Sequence, residues 1–288
     1  QCVYMARLGE AMGVRGFQDS AIPGKGQQVH MILALAFPKL LDRFASNGEL
    51  KEKDVSDELN AARDRLVDKG IINFRHPDEP NSEDTDRKRV LQISRELALN
   101  GISFVSKAFA KLIEEYNESG YSPFKDNYLD ALARAIVLTE HNMMSYNLHI
   151  RGVVDAIVED PVTRSAVIIE WKSYPLNLES TNRTPPVSDV DIAQAYVYAL
   201  LEVERLGLVG FGDSNAPRKD FESYVKSVLG DPETHKGAHV IPGVVRPSPT
   251  GRASGVFVRH PLYCEGSKSC EYYDLYKLIS KLVLAAEH

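Results

Sequence analysis

Residues 148–172 read LHIRGVVDAIVEDPVTRSAVIIEWK, and this stretch decides the fold class. Alternating and β-branched residues run from Leu148 to Val158 and again from Ala166 to Trp171, with the turn signal Glu159-Asp160-Pro161 between them. The pattern predicts a β-hairpin. Asp155 falls on its first strand, while Glu170 and Lys172, two apart, fall on one face of its second. An antiparallel register that brings Asp155 opposite Glu170 would let their oxygens share a hard divalent cation such as magnesium or manganese. Trp171, between them, points to the other face, where its bulk predicts core packing under flanking helices.

Outward from the hairpin the periodicity turns helical. Upstream, Val29, Ile32, Leu33, Leu35, Ala36, Leu40 and Leu41 predict a helix over Gln27–Phe44, entered through Gly24–Gly26. Helices are also predicted over Asp54–Asp68, Lys88–Tyr116 and Asp126–Asn142, with the polar run Pro77–Asp86 as a loop. Downstream, Ser173–Ser188 reads as a Pro/Asn/Thr/Ser-rich loop and Asp189–Arg205 as a helix capped by Ser188 or Asp189. Short strands are expected at His239–Val245 and Gly255–Arg259, and a terminal helix at Tyr272–Ala286. No repeat or clear linker divides the chain, so a single domain over 1–288 is expected.

With 288 residues, 43% of them hydrophobic, the chain can bury a sizeable core. No run approaches the roughly 18–20 apolar residues of a membrane span, and the N-terminus lacks the form of a signal peptide; a cytoplasmic protein with no membrane partner is expected. A net charge of -6 argues against non-specific coating of nucleic acid but not against a DNA enzyme, whose carboxylates hold cations. Three cysteines at Cys2, Cys264 and Cys270 do not suggest a disulfide framework; serving one site would require the two ends of the sequence to meet.

Phosphodiester hydrolysis needs a hydroxide at neutral pH and neutralisation of charge on the transition state, both of which a carboxylate-held metal supplies. Lys172 would position the attacking water or stabilise the phosphate, and two neighbouring carboxylates would keep it protonated unless burial wins. A lone Glu-x-Lys usually marks a solvated strand face. Here it is accompanied by other motifs. His30 taken alone would default to a core histidine, Tyr198 to a core tyrosine, and the basic run Arg87-Lys88-Arg89 to a solvated helix start that could touch phosphates.

Gly152-Val-Val-Asp155, Glu170-Trp-Lys172-Ser173 and Gln194-Ala-Tyr-Val-Tyr198, in this order, resemble the motifs of RecB-like PD-(D/E)XK nucleases. The resemblance implies an α/β, restriction-endonuclease-like core: a central mixed sheet flanked by helices, with a helical insertion at about 47–128. It implies that Asp155 and Glu170 bind metal, that Lys172 is catalytic, and that Gln194 and Tyr198, on one helix face, orient the site and contact DNA. Cys2 with the Gly26-x-x-x-His30 motif resembles the family's opening motif and implies His30 as a further ligand, a reason to test manganese before magnesium. Glu140 stands ahead of the hairpin where relatives often carry an acidic residue.

The cysteine pattern resembles a subgroup whose N-terminal cysteine and three C-terminal cysteines hold an iron–sulfur cluster. Cys264-x5-Cys270 matches the last two ligands, and one cysteine is missing; His260 stands near its place, and iron accepts imidazole, with a degraded or differently ligated cluster, or three small buried thiols, as the alternatives. The implied function is a metal-dependent deoxyribonuclease, an exonuclease on single strands or DNA ends, acting in CRISPR spacer acquisition with the integrase complex as partner. A recombination or repair exonuclease, or a DNA-binding interaction subunit with secondary catalysis, are the alternatives.

Overall fold

A computed structural model describes residues 24–74, 83–120, 127–145, 150–173, 189–207, 238–247 and 255–257. Four helices come first: α1 (Lys25–Asn47), α2 (Glu52–Asp68), α3 (Glu83–Glu118) and α4 (Tyr128–Ala133). Then follow β1 (Ile136–Ser145), β2 (Ile150–Asp160), β3 (Ser165–Trp171), α5 (Asp189–Arg205), β4 (Val240–Val245) and β5 (Gly255–Phe257). The strands form one mixed sheet in the order β1-β2-β3-β4-β5. β1, β2 and β3 are antiparallel neighbours, β4 joins β3 in parallel, and β5 returns antiparallel to β4. A parallel step needs a long crossover, and α5 lies within it.

The predicted hairpin is β2–β3, and α5 has the bounds that the periodicity predicts. Two expectations fail. The helix expected over Asp126–Asn142 stops at Ala133, and from Ile136 the chain is strand β1. Leu129 and Leu132 carry helical spacing and belong to α4, but the run Ile136-Val-Leu-Thr139 beyond them finds a neighbouring strand to pair with, and tertiary pairing stops the helix. The loop expected through Asp86 is already helix from Glu83. The terminal helix at Tyr272–Ala286, and nearly all of the loop at Ser173–Ser188, lie outside the described residues.

One face of the sheet is covered by α1 and α3. The stripe Val29, Ile32, Leu33, Ala36, Phe37, Leu40 and Leu41 of α1 joins α2, α3 and sheet residues such as Val167, Ile169 and Trp171 in a continuous core. Trp171 is fully buried there, edge-on to Phe37 at 5.3 Å between ring centroids. Gly101 of α3 lets these rings close in, since a Cβ would stand 3.0 Å from Phe37; Phe104, one turn on, lies over Gly243 of β4. Thus α2 and α3, inside the region read as an insertion, share the core of the sheet. Because side chains alternate along β3, Glu170 points to the other face, where α5 lies.

A defect in α1 docks the edge of the sheet. Pro38 has no N–H to give the Ala34 carbonyl one turn back, and Thr139 of β1 donates its hydroxyl there instead, at 3.0 Å. This bond holds β1 against α1. Downstream, Arg134 grips the fully buried Asp160 through both carboxylate oxygens, at 2.8 and 2.7 Å, and fixes the start of β1 to the end of β2. Among the described residues no helix is long and apolar enough to cross a membrane.

Candidate metal centre

The β1–β2 ladder pairs Thr139 with Ala156 and His141 with Val154, skipping the position between them. That position holds Glu140, whose φ of 47° is left-handed, across from Asp155. On β2 the facing also changes phase here: Gly152 lies under Tyr198 of α5, whereas Ala156 belongs to the core beneath α1 and α3. The crimp frees Asp155 to reach past its own strand. Its Oδ1 accepts from His30 Nδ1 at 2.9 Å, and its Oδ2 accepts the Trp171 N–H at 2.6 Å. Since the Lys172 N–H points to Val245 of β4, the Trp171 N–H must point to β2, and the Asp155 carboxylate takes the place of a ladder carbonyl.

His30, Glu140 and Asp155 offer ligand atoms that all lie within 4.8 Å of one another. One comes from a helix and two from neighbouring strands, and the Thr139 bond to Ala34 brings those elements together. Burial would depress the His30 imidazolium, but the adjacent Asp155 carboxylate, helped by Glu170 and Glu140, raises its pKa above the ordinary value. Burial and then Asp155 push the Glu140 carboxyl up. Unlike charges gather here and like charges repel, a conflict that a divalent cation would relieve.

Glu170 is 3% exposed. The ladder ends at Ala156 and Ile169, so Glu170 is the next residue of β3 beside Asp155. Its Oε1 accepts from Lys172 Nζ at 2.8 Å, whereas Oε2 is buried without a hydrogen-bond partner. Burial, with the Asp155 charge adding to it, pushes the Glu170 carboxyl up to about 8, against a smaller pull from Lys172. A buried carboxylate oxygen lacking a partner costs free energy, and a cation is the ligand that such an acceptor suits. The triad of His30, Glu140 and Asp155 therefore has a donor set that a divalent metal suits, and Glu170 stands next to Asp155 outside that group of mutually close ligand atoms. Its mixed imidazole and carboxylate character suits manganese at least as well as magnesium.

Lys172 is clamped from three directions: Glu170 Oε1 at 2.8 Å, Gln194 Oε1 at 3.1 Å and Asp191 Oδ1 at 3.1 Å. Burial would depress its pKa, but Glu170 and Asp191 raise it above the ordinary lysine value, so the ammonium is retained. The two carboxylates that do this are not the expected Asp155 and Glu170 pair. Asp191 supplies the second, and sequence reasoning missed it; the signal was its spacing, since Asp191, Gln194 and Tyr198 share one face of α5. Gln194 Nε2 donates onward to the Tyr198 hydroxyl at 3.3 Å, and burial drives the Tyr198 phenol up to about 12.

Tyr198 explains Gly152. A Cβ at position 152 would stand 2.7 Å from Tyr198 Cε1 and 2.9 Å from its hydroxyl oxygen, so only glycine admits the ring. Similarly, a Cβ on Gly26 would meet Ser173 Oγ at 2.9 Å, so this glycine admits the end of β3 to the start of α1. The structure thus brings together His30, Asp155, Glu170, Lys172, Gln194 and Tyr198, and adds Glu140 and Asp191. Cys2, His260, Cys264 and Cys270 lie outside the described residues. Compared with known proteins, the chain matches no family model, no curated protein and no solved structure.

Proposed function

We propose that this chain is a divalent-metal-dependent DNA nuclease of the RecB-like PD-(D/E)XK class, hydrolysing phosphodiester bonds in single strands or at DNA ends. The observation that carries the reading is the buried Glu170 oxygen without a partner, beside Asp155 and the clamped Lys172 ammonium. The mixed sheet flanked by helices is compatible with this class at the coarser level of fold. A role in CRISPR spacer acquisition, with an iron–sulfur cluster on Cys2, Cys264, Cys270 and His260, rests on the cysteine pattern alone.

In this reading His30, Glu140 and Asp155, whose ligand atoms lie within 4.8 Å of one another, hold the metal, Glu170 stands beside Asp155 outside that triad as a proposed further ligand, and the Trp171 N–H aims the Asp155 carboxylate. When bound, the metal would lower the pKa of water and neutralise charge on the phosphate. Lys172 stays cationic at neutral pH and offers its ammonium to the attacked phosphate or to the attacking water. Asp191 and Gln194 hold that ammonium in place, and Tyr198 holds Gln194. Positioning of this kind is worth orders of magnitude in rate.

The test is cleavage of end-labelled single-stranded DNA with manganese, magnesium or EDTA by wild type and Lys172→Ala. Cleavage by wild type only, dependent on metal, supports the proposal. Absent cleavage by both proteins with retained DNA binding would overturn it in favour of a binding subunit.

A further inference from the structure

Helix α1 crosses the sheet on a diagonal: its Ala34 meets Thr139 of β1, its His30 meets Asp155 of β2, and its Gly26 meets Ser173 just past β3. The far end of the β1–β2 ladder, beyond the metal centre, is left uncovered by this course. There Asn142 pairs with Val153 and Met144 with Arg151, two cross-strand rows on one face. Gly152, between Arg151 and Val153, lies under Tyr198 of α5, so its two neighbours point the opposite way, to the side of the sheet on which α1 and His30 lie. All four side chains are exposed, Val153 at 42% and Met144 at 56%. Asn142 stands two residues past Glu140, and Val153 two before Asp155. At two residues per step the rows therefore follow the metal centre at intervals of roughly 7 Å.

The chemistry of this shelf suits a polynucleotide. Among the described residues neither the Arg151 guanidinium nor the Asn142 amide has a hydrogen-bond or ion-pair partner, so both are open to a ligand. A guanidinium matches the geometry of a phosphate, and an amide both donates to and accepts from a base edge. Met144 and Val153 are diagonal neighbours, and a thioether beside an isopropyl group makes an apolar surface on which the face of a base can rest. Spacing selects the form of nucleic acid: a step of roughly 7 Å is about twice the 3.4 Å rise of stacked bases, so a strand laid along the rows has its bases unstacked. Only a single strand offers bases in that state. We propose that this shelf binds single-stranded DNA, seating the two nucleotides that adjoin the scissile phosphate, with a base against Met144 and Val153 and a phosphate on Arg151.

The inference rests on the nuclease reading, and the experiment separates the two. Binding of a labelled oligothymidine, and of a blunt duplex of the same length, to the full chain in EDTA is measured over a salt series for wild type, Arg151→Gln, Arg151→Lys and Met144→Ser/Val153→Thr. Cleavage by wild type with manganese is measured alongside. These side chains are exposed, so the variants should keep the wild-type fold. Arg151→Gln should lower the slope of log affinity against log salt by about 0.7, which at about 0.1 M salt is about fivefold in affinity, while Arg151→Lys should keep the slope. Met144→Ser/Val153→Thr should weaken oligothymidine binding severalfold at unchanged slope and leave duplex binding as it was, because paired bases stay stacked. Equal losses on the duplex would overturn the assignment to a single strand. Unchanged oligothymidine affinity and slope in every variant, with wild type still cutting, would overturn the shelf alone, the result expected if a protein partner or another segment of this chain occupies the face. A wild type that neither binds nor cuts would overturn the nuclease reading and the shelf with it.

Discussion

Replacing Gly152 with alanine tests how the α5 side of the site is built. The new methyl would stand 2.7 Å from Tyr198 Cε1 and 3.2 Å from Cζ, so the ring must move; Tyr198 is only 7% exposed and has little room. Overpacking of this sort costs about 1–3 kcal/mol. An unfolding entropy of about 2.1 cal/mol/K per residue gives ~0.6 kcal/mol/K over 288 residues, so Tm should fall by about 2–5 °C. The catalytic effect should be larger. A displaced Tyr198 releases Gln194, one of the three groups that clamp Lys172, and an error of about 1 Å at that ammonium costs on the order of 100-fold in rate. The assay is a double-mutant cycle with Tyr198→Ala, followed by thermal unfolding and by cleavage kinetics. With the ring gone, Gly152→Ala should cost almost nothing. Additivity within about 0.5 kcal/mol would refute the steric reasoning.

Three further outcomes are expected. Glu170 keeps its proton up to about 8 when folded, against an ordinary 4.5, so its contribution to stability is complete below pH 4.5 and is lost as pH rises through 8. The raised pKa of His30 acts in the same direction; metal-free protein should therefore lose on the order of 5 kcal/mol of stability across that window, and saturating manganese or Glu170→Gln should flatten the curve measured by denaturant titration. Asp191→Asn leaves Lys172 with Glu170 as its remaining carboxyl partner, and kcat should drop about tenfold with KM little changed; wild-type kcat would show that Asp191 does not position the ammonium. Thr139→Val strips the Ala34 carbonyl of its donor and should cost about 1 kcal/mol in urea unfolding while weakening manganese binding by calorimetry; tight binding retained in full would separate the β1 dock from the site.

Where a residue's neighbours lie close in sequence, the site was legible. Period two put Glu170 and Lys172 together, and period 3.6 did the same for Gln194 and Tyr198. Trp171 reads correctly as core because alternation sends it to the face opposite Glu170. β1 misleads for a physical reason. As an edge strand of the described sheet it is half covered, its burial does not alternate cleanly, and Leu129 and Leu132 just before it carry true helical spacing. Misreading β1 as helix hides how Glu140 reaches Asp155, since the approach depends on a left-handed residue and a skipped pair. Asp191 is lost differently: its helical spacing with Gln194 and Tyr198 is a signal, but its partner Lys172 comes from another element, and an aspartate near a helix start reads by default as a cap.

The left-handed turn at Glu140 also bears on how molecules meet one another. A straight, ten-residue outer strand would offer an unbroken row of amide and carbonyl groups to any extended peptide, and exposed Ile136 and Met144 would add adhesive side chains. Interrupting that row midway leaves two short stretches, each a poor template for zipping on a foreign chain. The same backbone twist that turns the Glu140 carboxylate toward Asp155 thereby breaks the edge against self-association, and a residue that straightened it would be expected to bring precipitation.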